Sequence, residues 1–536
     1  MTSSASLPHF IRPVGAYQLQ GLVFVAEGKA ITVDTYRGYV LAVDPYTESA
    51  EVLNRHTYAQ FCGVRAIACT GDATFWVVKG ADLFYCSSPD FNLNLFLSLP
   101  QEIEGLAVTE GAIYLSCRAI GKIMVFGRAT RSLLRVISSP GIGATSLTLK
   151  GDQLWAVDQI EETVYQLDPK SGAVYLRALT PFPQPRGLAF WGEHLYVVYS
   201  GDEYYIRDNP NDPEPYSVQV RDRTFMHRFQ WLQVNAQPAY TLSNGYLVEM
   251  TYVEEFWAED PSPVKDLTWR IALPENSDRQ KVVAITALGM PMAIQEVNGS
   301  QIGVFAIGDL DPAEAGLFGW KALLELRGIK YQISPEQVEQ VAPLDPELQA
   351  LYLIDDDGLS MDSPFVRNCA REAVGGETNI LLKMLKIRNY VYDRLEYRMQ
   401  PYISSPAEAL ARGTASCGEY VGLLLAIARL NGIACRTVGR YKCPPLADHH
   451  NLPLYQDYNH VWIEFYIPGI GWLPMESNPD DTGMSPYPTR FFMGLPWYHV
   501  EIGKGVTFES IRPQPFSIGE LALNHVRFKI LQELEF

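Results

Sequence analysis

A repeat constrains the first part of this chain more than any other feature. Gly105-Leu106-Ala107-Val108 is followed by a short turn and Ala112-Ile113-Tyr114-Leu115. Ser146-Leu147-Thr148-Leu149 is followed by Gly151-Asp152 and Leu154-Trp155-Ala156-Val157, and Gly187-Leu188-Ala189-Phe190 by Gly192-Glu193 and Leu195-Tyr196-Val197-Val198. Leu106, Leu147 and Leu188 fall 41 residues apart each time. Weaker copies begin near Leu22 and at Ala66-Ile67. Tyr39 to Val43 and Val164 to Leu167 add a third strand, each closed by an Asp-Pro turn. Several short strands per unit at a period near 40 point to a β-propeller, because one such unit cannot bury its apolar face alone. A β-sandwich with coincidental spacing is the competing fold. Five units are visible, and a sixth would have to lie before Ala16 or after Arg228.

The units resemble blades of NHL, YWTD and related propellers, in which a "GLA(V)" strand precedes a second apolar strand. Such repeat surfaces bind partners more often than they react. The expected first domain is therefore a propeller-like region over 1–228 that binds protein. Residues 229–335 are rich in alternating strands but carry no repeat, which suggests a small β-sandwich. Within it, Leu267-Thr268-Trp269-Arg270-Ile271-Ala272-Leu273-Pro274 with Gln280 resembles the passage that precedes many bacterial transglutaminase-like cores.

Residues 336–536 form the third expected domain, α+β in class, and carry the chemistry. Asn379 to Leu395 has the 3–4 residue apolar spacing of a helix with one buried face. Cys417 follows a glycine-containing loop and opens a second apolar helix, marked by Val421, Leu423, Leu424, Leu425, Ile427 and Leu430. A thiol at a helix N-terminus faces unpaired N–H groups and the positive end of the dipole, which favour thiolate. The helix stops at Asn431-Gly432. His460 then begins an alternating strand, Pro468-Gly469-Ile470-Gly471 turns the chain, and Trp472 to Glu476 return. His460 and Glu476 are 16 apart and centred on position 468, so a hairpin would place them nearly opposite. Cys417 is the expected nucleophile, His460 its base and Glu476 the group that orients the imidazole. The backbone N–H of Cys417 would supply half an oxyanion hole.

These residues carry a family resemblance. The patterns G-x-x-x-C-G-E-Y, A-R-x-x-G-I-x-x-R-x-V-G and H-x-W-x-E-x-Y-x-P-G-x-G-W-x-P run from Gly413 to Pro474, and they resemble those of the transglutaminase-like superfamily over about residues 340–485. The resemblance implies a papain-like core with a Cys-His-Asp site and acyl transfer at amides of protein or peptide substrates. Cys417 and His460 match the family's nucleophile and base. Glu476 stands where the family has Asp, so Asn478 and Asp480 are alternatives for the third residue. Hydrolysis by a peptidase or amidase is expected ahead of transfer to a Lys amine. The alternative is a catalytically silent scaffold, motivated by the Asp-to-Glu change. Trp462 and Trp472 are expected to line a substrate groove or to belong to the hairpin core.

Composition excludes several other classes. A net charge of −18 argues against nucleic acid or an anionic membrane as a main partner. The apolar stretch Val421 to Leu430 contains Arg429 and is too short to span a bilayer. Eight scattered cysteines without a CxxC pair, and an N-terminus without a signal-like apolar run, lead to an expected cytoplasmic location with reduced thiols. No cofactor is expected. Cys443, His449, His450 and His460 lie close in sequence but lack a standard zinc spacing, so no metal is expected either.

Overall fold

Strands dominate because the sequence alternates, and the helices gather where the period changes to 3.6. The computed structural model describes residues 7–25, 28–207, 217–256, 264–310, 315–356, 358–456, 459–513 and 517–536. It divides into two compact units, Met1–Trp231 and Leu232–Phe536.

The first unit contains five four-stranded antiparallel sheets among the described residues. Four of them run consecutively along the chain, the first strands being Leu19–Phe24, Val64–Cys69, Gly105–Val108 and Ser146–Lys150. The fifth joins Pro185–Trp191, His194–Tyr199 and Phe225–Phe229 to the N-terminal strand Phe10–Ile11. First strands of successive sheets touch in order, and that of the fifth touches that of the first. The repeat anchors Leu106, Leu147 and Leu188 are buried on these strands. Their neighbouring glycines have a steric role. A Cβ on Gly187 would lie 2.8 Å from Gly21 Cα, and one on Gly105 would lie 3.1 Å from Ser146 Cα, so side chains there would force adjacent sheets apart. The Asp-Pro turns are held by Asp44, which accepts the Tyr46 N–H at 2.8 Å, and by Asp168, which accepts that of Lys170 at 3.1 Å.

The second unit joins the sections expected at 229–335 and 336–536. One sheet is built on the long strands Ala239–Phe256 and Leu317–Gln332, and another on Val264–Ala272 and Ser300–Leu310. Rings from both sheets meet, with Trp269 and Phe305 at 5.2 and 5.1 Å from Phe318. The chain end then returns: Ala522–Leu534 pairs with Ala239–Phe256, and Glu509–Arg512 with Val264–Ala272. A boundary near 335 therefore does not separate two bodies, because the last strands of the third section complete the sheets of the second.

Helices Pro364–Val374, Ile380–Tyr392 and Cys417–Leu430 share one core with the sheet Gly471–Met475, His460–Ile467, Cys435–Lys442 and His499–Val500. Their ends follow capping rules. Pro364 occupies the first turn of its helix, Gly375 closes it in the left-handed conformation, and Asn379 accepts the Leu381 and Leu382 N–H groups at the next. The segment after Lys442 is tied to the returning strand: Asn451 donates to Ile530 O at 2.8 Å, and Leu454 exchanges backbone hydrogen bonds with Phe528.

Candidate active site

Cys417 is the first residue of its helix, behind the N-cap Ser416. Glu419 fixes this end. Its carboxylate accepts the Ser416 N–H at 2.7 Å and the Ser404 N–H at 3.0 Å, and pairs with Arg412 at 2.6 Å. The Glu of the Cys-Gly-Glu-Tyr motif is thus a capping residue that aims the thiol. Gly418 lets a neighbouring segment approach, since a Cβ there would lie 2.8 Å from Ile403 Cδ1.

The hairpin places His460 beside the thiol and Glu476 behind the imidazole. Its register pairs Ile463 with Met475 and Glu464 with Pro474. The turn is therefore centred on Gly469, and one further step puts Glu476 opposite Trp462 rather than opposite His460. His460 and Glu476 are diagonal neighbours across the strands, a wider gap than a direct pair. The longer Glu side chain spans it: His460 Nε2 lies 2.9 and 2.8 Å from the two carboxylate oxygens. The other proposed partners are engaged elsewhere. Asn478 Oδ1 accepts from Ser477 at 2.8 Å, and Asp480 is buried between Arg388 and Arg490 at 3.3 and 2.8 Å.

With Nε2 committed to Glu476, Nδ1 of His460 is buried without an N or O partner. It is the nitrogen left for the thiol, with which the ring interacts. Burial pushes the Cys417 thiol up, but the His460 side chain and the Val461 N–H outweigh it, and the net shift is downward. Burial is the largest cause that drives the thiols of Cys69, Cys86, Cys117, Cys435 and Cys443 upward, to about 12 for Cys86 and Cys435. Desolvation lowers the His460 pKa, and the Glu476 charge more than restores it, so the imidazolium is favoured. Glu476 is itself held well below the carboxylate range by two histidines, against the desolvation that opposes this.

Residues 367–477 match the family described as Transglutaminase-like superfamily. This part of the chain is a transglutaminase-like domain. The match spans Cys417, His460 and Glu476. No curated protein matches the chain. Among solved structures, a candidate cysteine protease from Cytophaga hutchinsonii is 16% identical, with a TM-score of 0.40, covering 57% of this chain and 94% of that one. A glutaminyl cyclase from Myxococcus xanthus is 12% identical, with a TM-score of 0.30, over 42% of this chain and 96% of that one. A virginiamycin B lyase from Staphylococcus aureus is 14% identical, with a TM-score of 0.23, over 33% of this chain and 62% of that one. At these scores the likenesses carry no argument about function.

The structure adds to this cluster a histidine that the sequence motifs did not single out. His499 lies beyond the matched segment, on the short strand His499–Val500 paired with Tyr441–Lys442. It is buried, and its Nε2 contacts Glu476 Oε1. Burial drives its pKa down to about 3, so it is neutral and donates its Nε2 proton to the carboxylate. Glu476 also accepts the Ser477 N–H at 2.9 Å. A signal existed: Trp497-Tyr498-His499-Val500-Glu501 reads as a short strand, in a chain with only nine histidines.

Trp462 does not border open space. Its exposure is 0%, it stacks behind His460 at 6.4 Å and meets His499 edge-on at 4.8 Å. It belongs to the hairpin core and fixes both imidazole planes. Trp472 packs against Tyr352, Tyr466 and the Arg436 guanidinium, the last at 4.1 Å from its ring. Neither indole borders the cleft that opens next to the thiol. That cleft has a volume of about 710 Å³ and is bordered by Ile403, Gly418, Val461, Arg436 and Arg440.

His460, Glu476 and His499 bring their donor atoms within 4.8 Å of one another, as metal ligands do. The imidazole nitrogens contact the carboxylate directly at hydrogen-bond distance, which leaves no gap for an ion needing about 2.0 Å on every side. Cys443, His449 and His450 do not join this group. Among the described residues, no helix is long and apolar enough to cross a membrane.

Proposed function

We propose that this chain is a cysteine enzyme that cleaves amide bonds of protein or peptide substrates through a Cys417 thioester. The observation that carries this reading is the buried Glu476–His460 pair next to a thiol whose pKa is lowered while its buried counterparts are raised. His460 Nδ1 takes the thiol proton, and Glu476 stabilises the imidazolium. The thiolate adds to the carbonyl carbon, and the Cys417 N–H donates to the developing oxyanion. As the C–N bond breaks, the imidazolium returns the proton to the leaving amine. His460 then deprotonates the acceptor, whose attack breaks the C–S bond and frees the thiol.

Water is the acceptor we favour over a Lys amine, because the cleft mouth is open, with Ile403 72% exposed. Glu476 reaches His460, so the Asp-to-Glu change gives no reason of its own to read the site as silent. The five ring-contacting sheets are proposed to be blades of a five-bladed propeller that binds protein, and the two aromatic-packed sheets a β-sandwich. Eight free cysteines suit a reducing, cytoplasmic location.

The test is intact mass after incubation with a glutamine-containing casein and an amine donor. Hydrolysed product or a thioester on wild type, absent in Cys417→Ala and His460→Ala, is the expected result. An amine adduct instead would move the reading to transamidation. A Cys417 that alkylates no faster than Cys435 at neutral pH would end the enzyme reading.

A further inference from the structure

The cations around the cleft beside Cys417 are not equivalent. Arg429 pairs with Asp356 at 2.6 Å and donates to Cys435 O at 3.0 Å. Arg436 pairs with Glu464 at 2.6 Å. Arg440 has no hydrogen bond and no ion pair within 4 Å among the described residues, and only the ring of Phe508 lies under its guanidinium, at 5.2 Å. Its strand position sets it next to the chemistry, since Arg440 and His460 are Cα partners on adjacent strands. Gly439 makes this possible. It has a φ of +132°, and a Cβ there would lie 2.7 Å from His460 O and 3.0 Å from the Trp462 ring.

In a chain of net charge −18, an unpaired guanidinium bordering the nucleophile's cleft is a local exception. A half-buried arginine forgoes part of its hydration and normally recovers it with a carboxylate or phosphate. We propose that Arg440 is a specificity residue that binds a carboxylate on the substrate, so that the acidic class of peptides is preferred. This rests on the thiol-enzyme reading above. The exposed apolar Leu351, Ile354 and Ile403, which border the same cleft, suit the backbone and aliphatic parts of an extended peptide.

Two acids lie behind Arg440 without ion-pairing to it. Glu254 and Glu509 hydrogen-bond to each other, and Glu509 accepts from Trp269 at 2.5 Å and from Tyr252 at 3.1 Å. Burial pushes Glu254 up to about 8 and Glu509 upward as well. At neutral pH the pair therefore does not carry two charges, and neither acid is within ion-pair distance of the guanidinium, whose N–H groups remain available to a carboxylate in the cleft.

Alkylation of Cys417 in the full chain by iodoacetate and by iodoacetamide tests the proposal without turnover, because the two reagents differ in charge. The iodoacetate-to-iodoacetamide rate ratio is expected to fall about fivefold in Arg440→Gln, the size of one charge pair near contact in water. It should be retained in Arg440→Lys and vanish for wild type in 1 M salt, where screening shortens to about 3 Å. Cleavage of matched peptides separates the carboxylate sources. An internal Glu in a C-terminally amidated peptide, a free α-carboxylate without Glu, and a Gln peptide with an amidated end distinguish side chain from chain end. Either acidic peptide should show a lower KM than the Gln peptide, and the difference should disappear in Arg440→Gln. An unchanged alkylation ratio in a folded Arg440→Gln with a fast Cys417 sinks the carboxylate assignment and leaves the enzyme reading intact. A slow Cys417 with both reagents sinks the enzyme reading, and this proposal with it.

Discussion

In the unit Met1–Trp231, four of five sheets use strands that follow one another along the chain. In the unit Leu232–Phe536, the strand Ala522–Leu534 returns to Ala239–Phe256 across nearly the whole unit. Both are strand-rich, yet they distribute cooperativity differently. Local sheets pay the entropy of loop closure in small steps, whereas a long return must hold many earlier elements in place at once. A repeated unit can therefore lose one sheet and keep much of its neighbours, while the second unit should fail as a whole.

Deleting residues 522–536 is the harshest way to break this comparison. The strand buries Val526, Phe528 and Ile530, each contributing about 1.5–3 kcal/mol, and it also pairs with the segment after Lys442. Hydrogen exchange is expected to show full loss of protection at Ala239–Phe256 and at Cys417–Leu430, with the strands carrying Leu106 and Leu147 still protected. Persistent protection at Ala239–Phe256 would mean that the return is an accessory strand.

The same contrast explains what could be read from the sequence. The 41-residue spacing of Leu106, Leu147 and Leu188 reports local sheets, because repeated packing needs the same residue at the same place. The thiol motif was equally legible, since Ser416, Cys417 and Glu419 form one capping box. What was hidden depends on distance along the chain or on register. Nothing local in Phe10-Ile11 says that it pairs with residues 226–227. The hairpin looked centred on 468, but its register is centred on Gly469, and that single step turns a direct His460–Glu476 pair into a diagonal one that needs the longer acid. Trp462 looked equally suited to groove or core, because an indole on an alternating strand carries no sign of which face is covered.

A smaller loss tests the polar ties of the second unit. Arg279 is buried and donates to the carbonyls of Arg327, Pro496, Trp497 and His499 while pairing with Glu501 at 3.0 Å. Arg279→Met leaves these acceptors unpaired and should cost about 3–5 kcal/mol. Urea unfolding followed unit by unit by hydrogen exchange should show the loss in Leu232–Phe536 alone. A cost below about 1 kcal/mol would mean that water replaces the guanidinium. The matching change in the first unit, Leu147→Ala, should cost about 2–4 kcal/mol through a cavity, with its effect greatest in the sheet Ser146–Leu179 and fading in sheets that do not touch it. Uniform loosening of all five sheets would contradict the local picture.

The smallest expected effect lies at the site and depends on pH. His499 takes up a proton in the unfolded chain near pH 6.5 but in the folded protein only near pH 3. Between these values the unfolded chain binds more protons, so stability rises with pH and is lost as pH falls. Glu476 has the same sign but acts only below its ordinary value of about 4.5, while the raised His460 contributes fully below 6.5 and loses its contribution as pH climbs through its folded value. The window from pH 4.5 to 6.5 therefore belongs to His499 within this cluster. His499→Gln retains a donor to Glu476 but cannot take a proton, so the wild-type slope, about 1.4 kcal/mol per pH unit for one proton, should be absent from the variant and appear as the difference between the two proteins across that window. If His499 also orients Glu476, kcat should fall about tenfold with KM unchanged, and Cys417 alkylation should titrate at higher pH as the His460–Glu476 contact loosens. A flattened stability profile with unaltered kcat and thiol titration would make His499 a packing residue only.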